Sequence, residues 1–115
     1  MQKLNVEYTR NDNRGSLIQV NTGEWKQLNH LIINKGEGFG GHYHKHKKEL
    51  FYVIKGTAVF SIWNIQNDEA EYIFLKQGEC LLIEPNDYHV LYAVEDSEII
   101  ELLNEPYNQE DVWTK

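Results

Sequence analysis

The sequence predicts an all-β chain folded as an antiparallel barrel or sandwich. Three observations predict it. Short runs rich in β-branched and aromatic residues recur along the 115 residues, with turn signals at regular spacing between them. Pairs such as Lys55-Gly56 and Gly78-Glu79 punctuate the apolar runs. No segment carries a convincing helical period. At this length one domain, residues 1–115, is expected.

In chain order, residues 1–11 are expected to form an edge strand and residues 11–15 a turn. Residues 16–20 read as a short strand and 21–24 as another turn. Residues 25–34 mix apolar and polar side chains as a strand with one wet face would. The glycines within residues 36–41 forbid a helix and allow close backbone approach. Residues 50–54 and 57–65 predict a hairpin turning at Lys55-Gly56, followed by a polar turn over 66–70. Strands over 72–75, 80–83, 89–94 and 98–103 complete the set. The polar tail, residues 105–115, carries Trp113 and is expected to cap the barrel or cross to a partner subunit.

The formal net charge of −7 argues against a general nucleic-acid or anionic-membrane surface. The lone Cys80 lies in an apolar run with no partner, which predicts a buried structural thiol and a reducing compartment. The first ten residues show no apolar signal segment, and no stretch approaches transmembrane length. A cytoplasmic location is the expectation.

The chemistry concentrates in residues 36–56, GEGFGGHYHKHKKELFYVIKG. His42 and His44 are one residue apart, so on a strand both point to the same face. Their Cα atoms would lie about 6.6–6.8 Å apart. Lys45, His46, Lys47 and Lys48 read as a solvated hairpin connection, with Glu49 opening the next strand beside the histidines. His46 is a rival to His44, but its place among lysines predicts exposure. Downstream, GECLLIEPNDYH places a short buried strand and a turn ahead of His89. Neutral imidazoles and a carboxylate suit Zn²⁺, Fe²⁺, Mn²⁺ or Ni²⁺, with no choice among them.

These residues resemble the cupin superfamily, whose fold is an antiparallel β-barrel or jelly roll. Gly36, His42, His44, Glu49 and Gly56 match every spacing of the first cupin motif. Gly78 and His89 match the second. Glu84 stands where that motif has Pro, and Asn86 where it has Gly. Asn tolerates the left-handed backbone, so the turn is still expected. The resemblance implies a metal set of His42, His44, Glu49 and His89.

Asp12-Asn13-Arg14-Gly15, the stretch Gly40-Gly41-His42-Tyr43-His44 and the closing Glu105-Pro106-Tyr107 are similar to sugar-nucleotide cupins. These are 4-keto-6-deoxysugar isomerases and epimerases and the C-terminal cupin domain of capsular-polysaccharide assembly proteins. The resemblance implies that Arg14 reaches a phosphate of the nucleotide, as a guanidinium fork suits. Some such isomerases are thought to work without metal. A histidine among His42, His44 and His89 then serves as base. Tyr88 is the expected partner acid, because Tyr43 alternates away from His42. Trp63 is expected to face the interior and pack on a sugar or base, or else to fill the core.

The expected function is isomerisation or epimerisation of a nucleotide-linked 4-keto-6-deoxysugar through an enolate, in bacterial surface-polysaccharide biosynthesis. A metal-dependent oxygenase of a small organic acid and a non-catalytic sugar-binding cupin are the alternatives. The expected partners are a small-molecule nucleotide sugar and a second copy in a homodimer, since strand edges must be paired or covered.

Overall fold

The structure, a computed structural model, describes residues 1–66 and 70–114. The chain runs through β1 (Gln2–Leu4), β2 (Tyr8–Asp12), β3 (Gly15–Gln19), β4 (Gln27–Ile33), β5 (Gly38–His42) and β6 (Glu49–Lys55). It continues through β7 (Thr57–Asn64), β8 (Glu71–Lys76), β9 (Cys80–Ile83), β10 (Asp87–Ala93) and β11 (Ser97–Leu103). A 3₁₀ turn, Gln109–Asp111, follows. The polar turn expected over 66–70 lies largely outside the described residues.

Five strands form one sheet in the order β1-β9-β6-β11-β4, and four form the other in the order β5-β10-β7-β8. Every pairing is antiparallel. Period-two alternation explains why the sheets pack. In β7, Ala58, Phe60 and Ile62 are buried while Thr57, Val59, Ser61 and Trp63 are not. In β10, Asp87, His89, Leu91 and Ala93 are buried and the residues between them are not. The inward residues meet Phe51, Val53, Leu81, Ile83 and Ile99 of the facing sheet in one core. Each large side chain so buried contributes about 1.5–3 kcal/mol.

Two expectations about the chain path are corrected. Residues 1–11 form two strands, because β1 pairs with β9 while β2 pairs with β3. The connection over residues 45–48 is no hairpin. β5 pairs with β10 and β6 pairs with β9 and β11, so the chain crosses from one sheet to the other there. A short polar turn reads alike in both cases.

The glycine stretch is itself a strand, β5, and its closeness to β10 needs those glycines. A Cβ on Gly40 would meet the His89 carbonyl oxygen at 2.6 Å, and its φ of +109° disfavours other residues. Asn86 takes the left-handed turn position at φ 72°, as expected for the residue replacing Gly.

Candidate functional site

His42 and His89 are cross-strand partners on β5 and β10. His44 follows two residues after His42, just beyond the end of β5. Glu49 opens β6 in the opposite sheet and lies between Ile83 and Leu103 in register. The two sheets thus bring together the four residues that the spacing singled out. Ring centroids lie 4.8 Å apart for His42 and His44, 4.9 Å for His42 and His89, and 6.2 Å for His44 and His89. Glu49 is 1% exposed and each of its oxygens faces an imidazole. His44 Nε2 is 2.6 Å from Oε1, and His89 Nε2 is 3.7 Å from Oε2.

Backbone carbonyls orient two of the rings. His44 Nδ1 lies 2.5 Å from the Asp111 carbonyl oxygen, and His89 Nδ1 lies 3.0 Å from that of Asp87. A carbonyl only accepts, so each Nδ1 donates and each Nε2 turns inward toward Glu49. Metal-ligating histidines are held in this way. His42, His44 and Glu49 offer ligand atoms within 4.8 Å of one another. These three donors fit a divalent first-row metal, and His89 Nε2 stands beside them, 3.7 Å from Glu49 Oε2. His42 makes no hydrogen bond to another described residue. Burial first, then the charges of His89 and His44, lowers it to about 4, so it is neutral at pH 7.

Sequence reasoning missed Glu101. It lies on β11, between the buried Ile99 and Leu103 on the same inward face. That period-two position was the available signal. Its Oε1 accepts from Asn29 Nδ2 at 2.8 Å. Burial, then the hydrogen bond and charge of Glu49, pushes its carboxyl up to about 8. Burial acts upward on Glu49 too, but the hydrogen bond from His44, the charge of His89 and the hydrogen bond with Glu101 bring it well below the usual carboxylate range. The charge of Glu49 beside it thus favours a protonated Glu101.

Two hollows meet at this cluster, and His42 and Glu101 line both. One, of ≈ 150 Å³, is walled by Leu31, Phe39, Phe51 and Leu91. The other, of ≈ 230 Å³, is mixed: Gln27, Asn29, Lys47 and Tyr107 line it together with Leu103 and Val112.

The tail caps this end of the barrel within its own chain. The Asp111 carboxylate accepts from the backbone N–H of Lys45 and of His46, at 2.9 and 3.2 Å. Tyr43 and Trp113 exchange backbone hydrogen bonds of 2.9 and 3.0 Å. Lys45 stands over the Trp113 ring, 3.6 Å from its centroid. His46 is exposed, as its setting among lysines predicts.

Other expected site residues lie elsewhere. Trp63 belongs to the outward set of β7, so the expectation that it faces the interior is corrected. Tyr88 alternates with buried His89 and packs on Trp63 at 4.6 Å between centroids, so it is no partner acid for the cluster. The strand period that turns Tyr43 away from His42 applies equally to Tyr88. Lys47, expected in solvent, is 3% exposed. Arg14 sits at the tip of the β2–β3 hairpin, which pairs with neither large sheet. It is gripped by Asp12, with Nη2 2.7 Å from Oδ2 and Nε 3.2 Å from Oδ1. Its hollow shares no lining residue with the barrel interior.

A two-sheet antiparallel barrel with imidazoles and a carboxylate converging inside it defines a cupin. The chain belongs to the polysaccharide biosynthesis C-terminal domain family, whose model matches residues 10–114. Among solved structures, a 3,4-ketoisomerase from Helicobacter canadensis has a TM-score of 0.87 at 21% identity, covering 99% of this chain and 90% of that one. A TDP-quinovose 3,4-ketoisomerase from Campylobacter jejuni has a TM-score of 0.87 at 20% identity, covering 99% and 92%. These similarities establish the fold. A curated relative, a UDP-2-acetamido-2,6-beta-L-arabino-hexul-4-ose reductase from Pseudomonas aeruginosa, is 40% identical over 55 residues. The match spans 47% of this chain but 15% of the reductase. Among the described residues, no helix is long and apolar enough to cross a membrane.

Proposed function

We propose that this chain is an isomerase or epimerase of a nucleotide-linked 4-keto-6-deoxysugar in bacterial surface-polysaccharide biosynthesis. The observation that carries the reading is His42, a neutral imidazole that makes no hydrogen bond to another described residue, in the wall shared by both hollows. Such a group can accept a proton from the carbon beside a ketone. The C–H electron pair then forms the enolate, and proton return at another carbon or face gives the product. The apolar hollow suits the methyl group of a 6-deoxysugar, and Gln27, Asn29 and Lys47 in the mixed one suit its oxygens. The shared fold with ketoisomerases and the polysaccharide-biosynthesis family support the same substrate class.

In a metal-bound form His42, His44, Glu49 and His89 would hold a divalent ion, which would act as a Lewis acid on the ketone oxygen, and the substrate proton would then go to a base other than His42. The protein's own groups orient that site: the Asp111 and Asp87 carbonyls fix two imidazoles, and Glu49 separates them. Arg14 would reach a nucleotide phosphate. It does so in a homodimer, where the hairpin of one copy extends to the other.

The test is reaction in D₂O with dTDP- or UDP-linked 4-keto-6-deoxysugars, followed by NMR. Deuterium beside the former ketone is the expected result. Oxygen consumption without deuterium incorporation would replace this reading with the oxygenase. Tight binding with neither signal would leave a binding module.

A further inference from the structure

Lys47 is the unexplained charge in the barrel. It is 3% exposed, and lysine is rarely so buried unless paired. None of the ion pairs or hydrogen bonds among the described residues uses its ammonium. The nearby acids are engaged elsewhere: Glu49 with His44 and His89, Glu101 with Asn29 and Glu49, and Asp111 with the Lys45 and His46 amides. The Tyr107 ring stands beside it, 5.4 Å from Nζ to centroid, and that tyrosine is 63% exposed.

The ammonium nevertheless belongs to the interior. Lys47 lines the larger hollow with His42, Gln27 and Asn29, and its charge acts on both His42 and Glu101. Glu49 and Glu101 line the same hollow but are held by His44, His89 and Asn29, and Gln27, Asn29 and Tyr107 are neutral, so the Lys47 ammonium is left facing the cavity. An unpaired buried ammonium costs stability. Retaining one beside a cavity fits a site whose partner arrives with the ligand.

We propose that Lys47 is the anion-receiving group of the barrel interior, taking a ligand oxygen that carries or develops negative charge. Resting on the isomerase reading, that oxygen is the ketone oxygen. As the base takes the proton, the C–H pair becomes the new C=C bond and the carbonyl pair moves onto oxygen. The ammonium then faces charge that the ground-state ketone lacks, so its effect falls on the transition state.

The test compares wild type with Lys47→Met and with Lys48→Met, a change at an exposed neighbour. Malonate, a small dicarboxylate, is titrated calorimetrically against the whole protein. Wild type and Lys48→Met should bind it alike, and Lys47→Met should lose about tenfold or more, as for a charge-assisted contact. No binding by wild type, or equal binding by Lys47→Met, overturns the proposal. Thermal melting separates a structural role: Lys47→Met should raise Tm, and a lowered Tm would assign the lysine to folding instead.

The deuterium assay then separates this inference from the reading beneath it. Lys47→Met should lower kcat on the order of 10²-fold, as for loss of an oxyanion donor, with KM nearly unchanged. Wild type that binds malonate through Lys47 but exchanges no hydrogen overturns the isomerase and leaves the anion site intact. Full exchange activity in Lys47→Met overturns the role of Lys47 in the reaction.

Discussion

Replacing Glu101 with Gln should stabilise the metal-free protein at alkaline pH and leave it nearly unchanged in acid. Gln is the same shape as the protonated carboxyl. Its oxygen can still accept from Asn29, and its amide can still donate to Glu49. The wild-type group is raised from 4.5 to about 8, by burial first and then by Glu49. Below 4.5 the folded and unfolded chains both hold this proton, and the benefit of the raised value is fully present. Between 4.5 and about 8 the unfolded chain releases it and the folded chain does not. Stability then falls with rising pH by about 1.36 kcal/mol per pH unit, and the loss is complete near the folded value. Across that window the total is about 3–5 kcal/mol. Glu101→Gln removes it. Urea unfolding of chelator-treated protein between pH 4.5 and 8.5 measures the difference. Parallel curves for variant and wild type would refute the raised Glu101 carboxyl.

One divalent metal per chain is expected in protein purified without chelator or nickel resin, and elemental analysis reads it. His42→Ala and His89→Ala should each lose the metal, while His46→Ala should keep it. Arg14→Ala should weaken nucleotide-sugar binding by about 1.5–3 kcal/mol, as for a charge-assisted hydrogen bond; calorimetry measures it, and Tm should hardly move. Light scattering should give a dimer, and a clean monomer near 13.6 kDa would refute the crossing hairpin. Burial pushes the Cys80 thiol up to about 11, so iodoacetamide at pH 8 should modify native protein far more slowly than urea-unfolded protein.

Strand positions and the four clustered residues were legible because both rest on local rules. Alternation put His42 and His44 on one face, and turn chemistry placed Asn86 and then His89. Glu101 and the outward facing of Trp63 and Tyr88 follow from that same alternation, applied to β11, β7 and β10. Strand partners were not legible in the turn. Residues 45–48 are polar whether the chain doubles back or crosses to the other sheet. Burial of Lys47 depends on the barrel wall and on Tyr107, sixty residues later. The distance of Arg14 from the cavity depends on a hairpin that leaves both sheets, a tertiary choice that no local pattern records.

Because the Asp111 carbonyl holds His44, the tail and the site open together. Around the site the tail is fastened by the backbone bridge at Tyr43 and Trp113, the Asp111 cap over Lys45 and His46, Lys45 over the Trp113 ring and the Tyr107 N–H on Gln27. Such a segment can detach without global unfolding. Any ligand that engages His44 must then hold the tail closed, by mass action, in proportion to its own affinity. Amide hydrogen exchange at Tyr43 and Trp113 becomes a readout of occupancy inside the barrel. Slower exchange at those two surface-strand amides would report a ligand that never touches them.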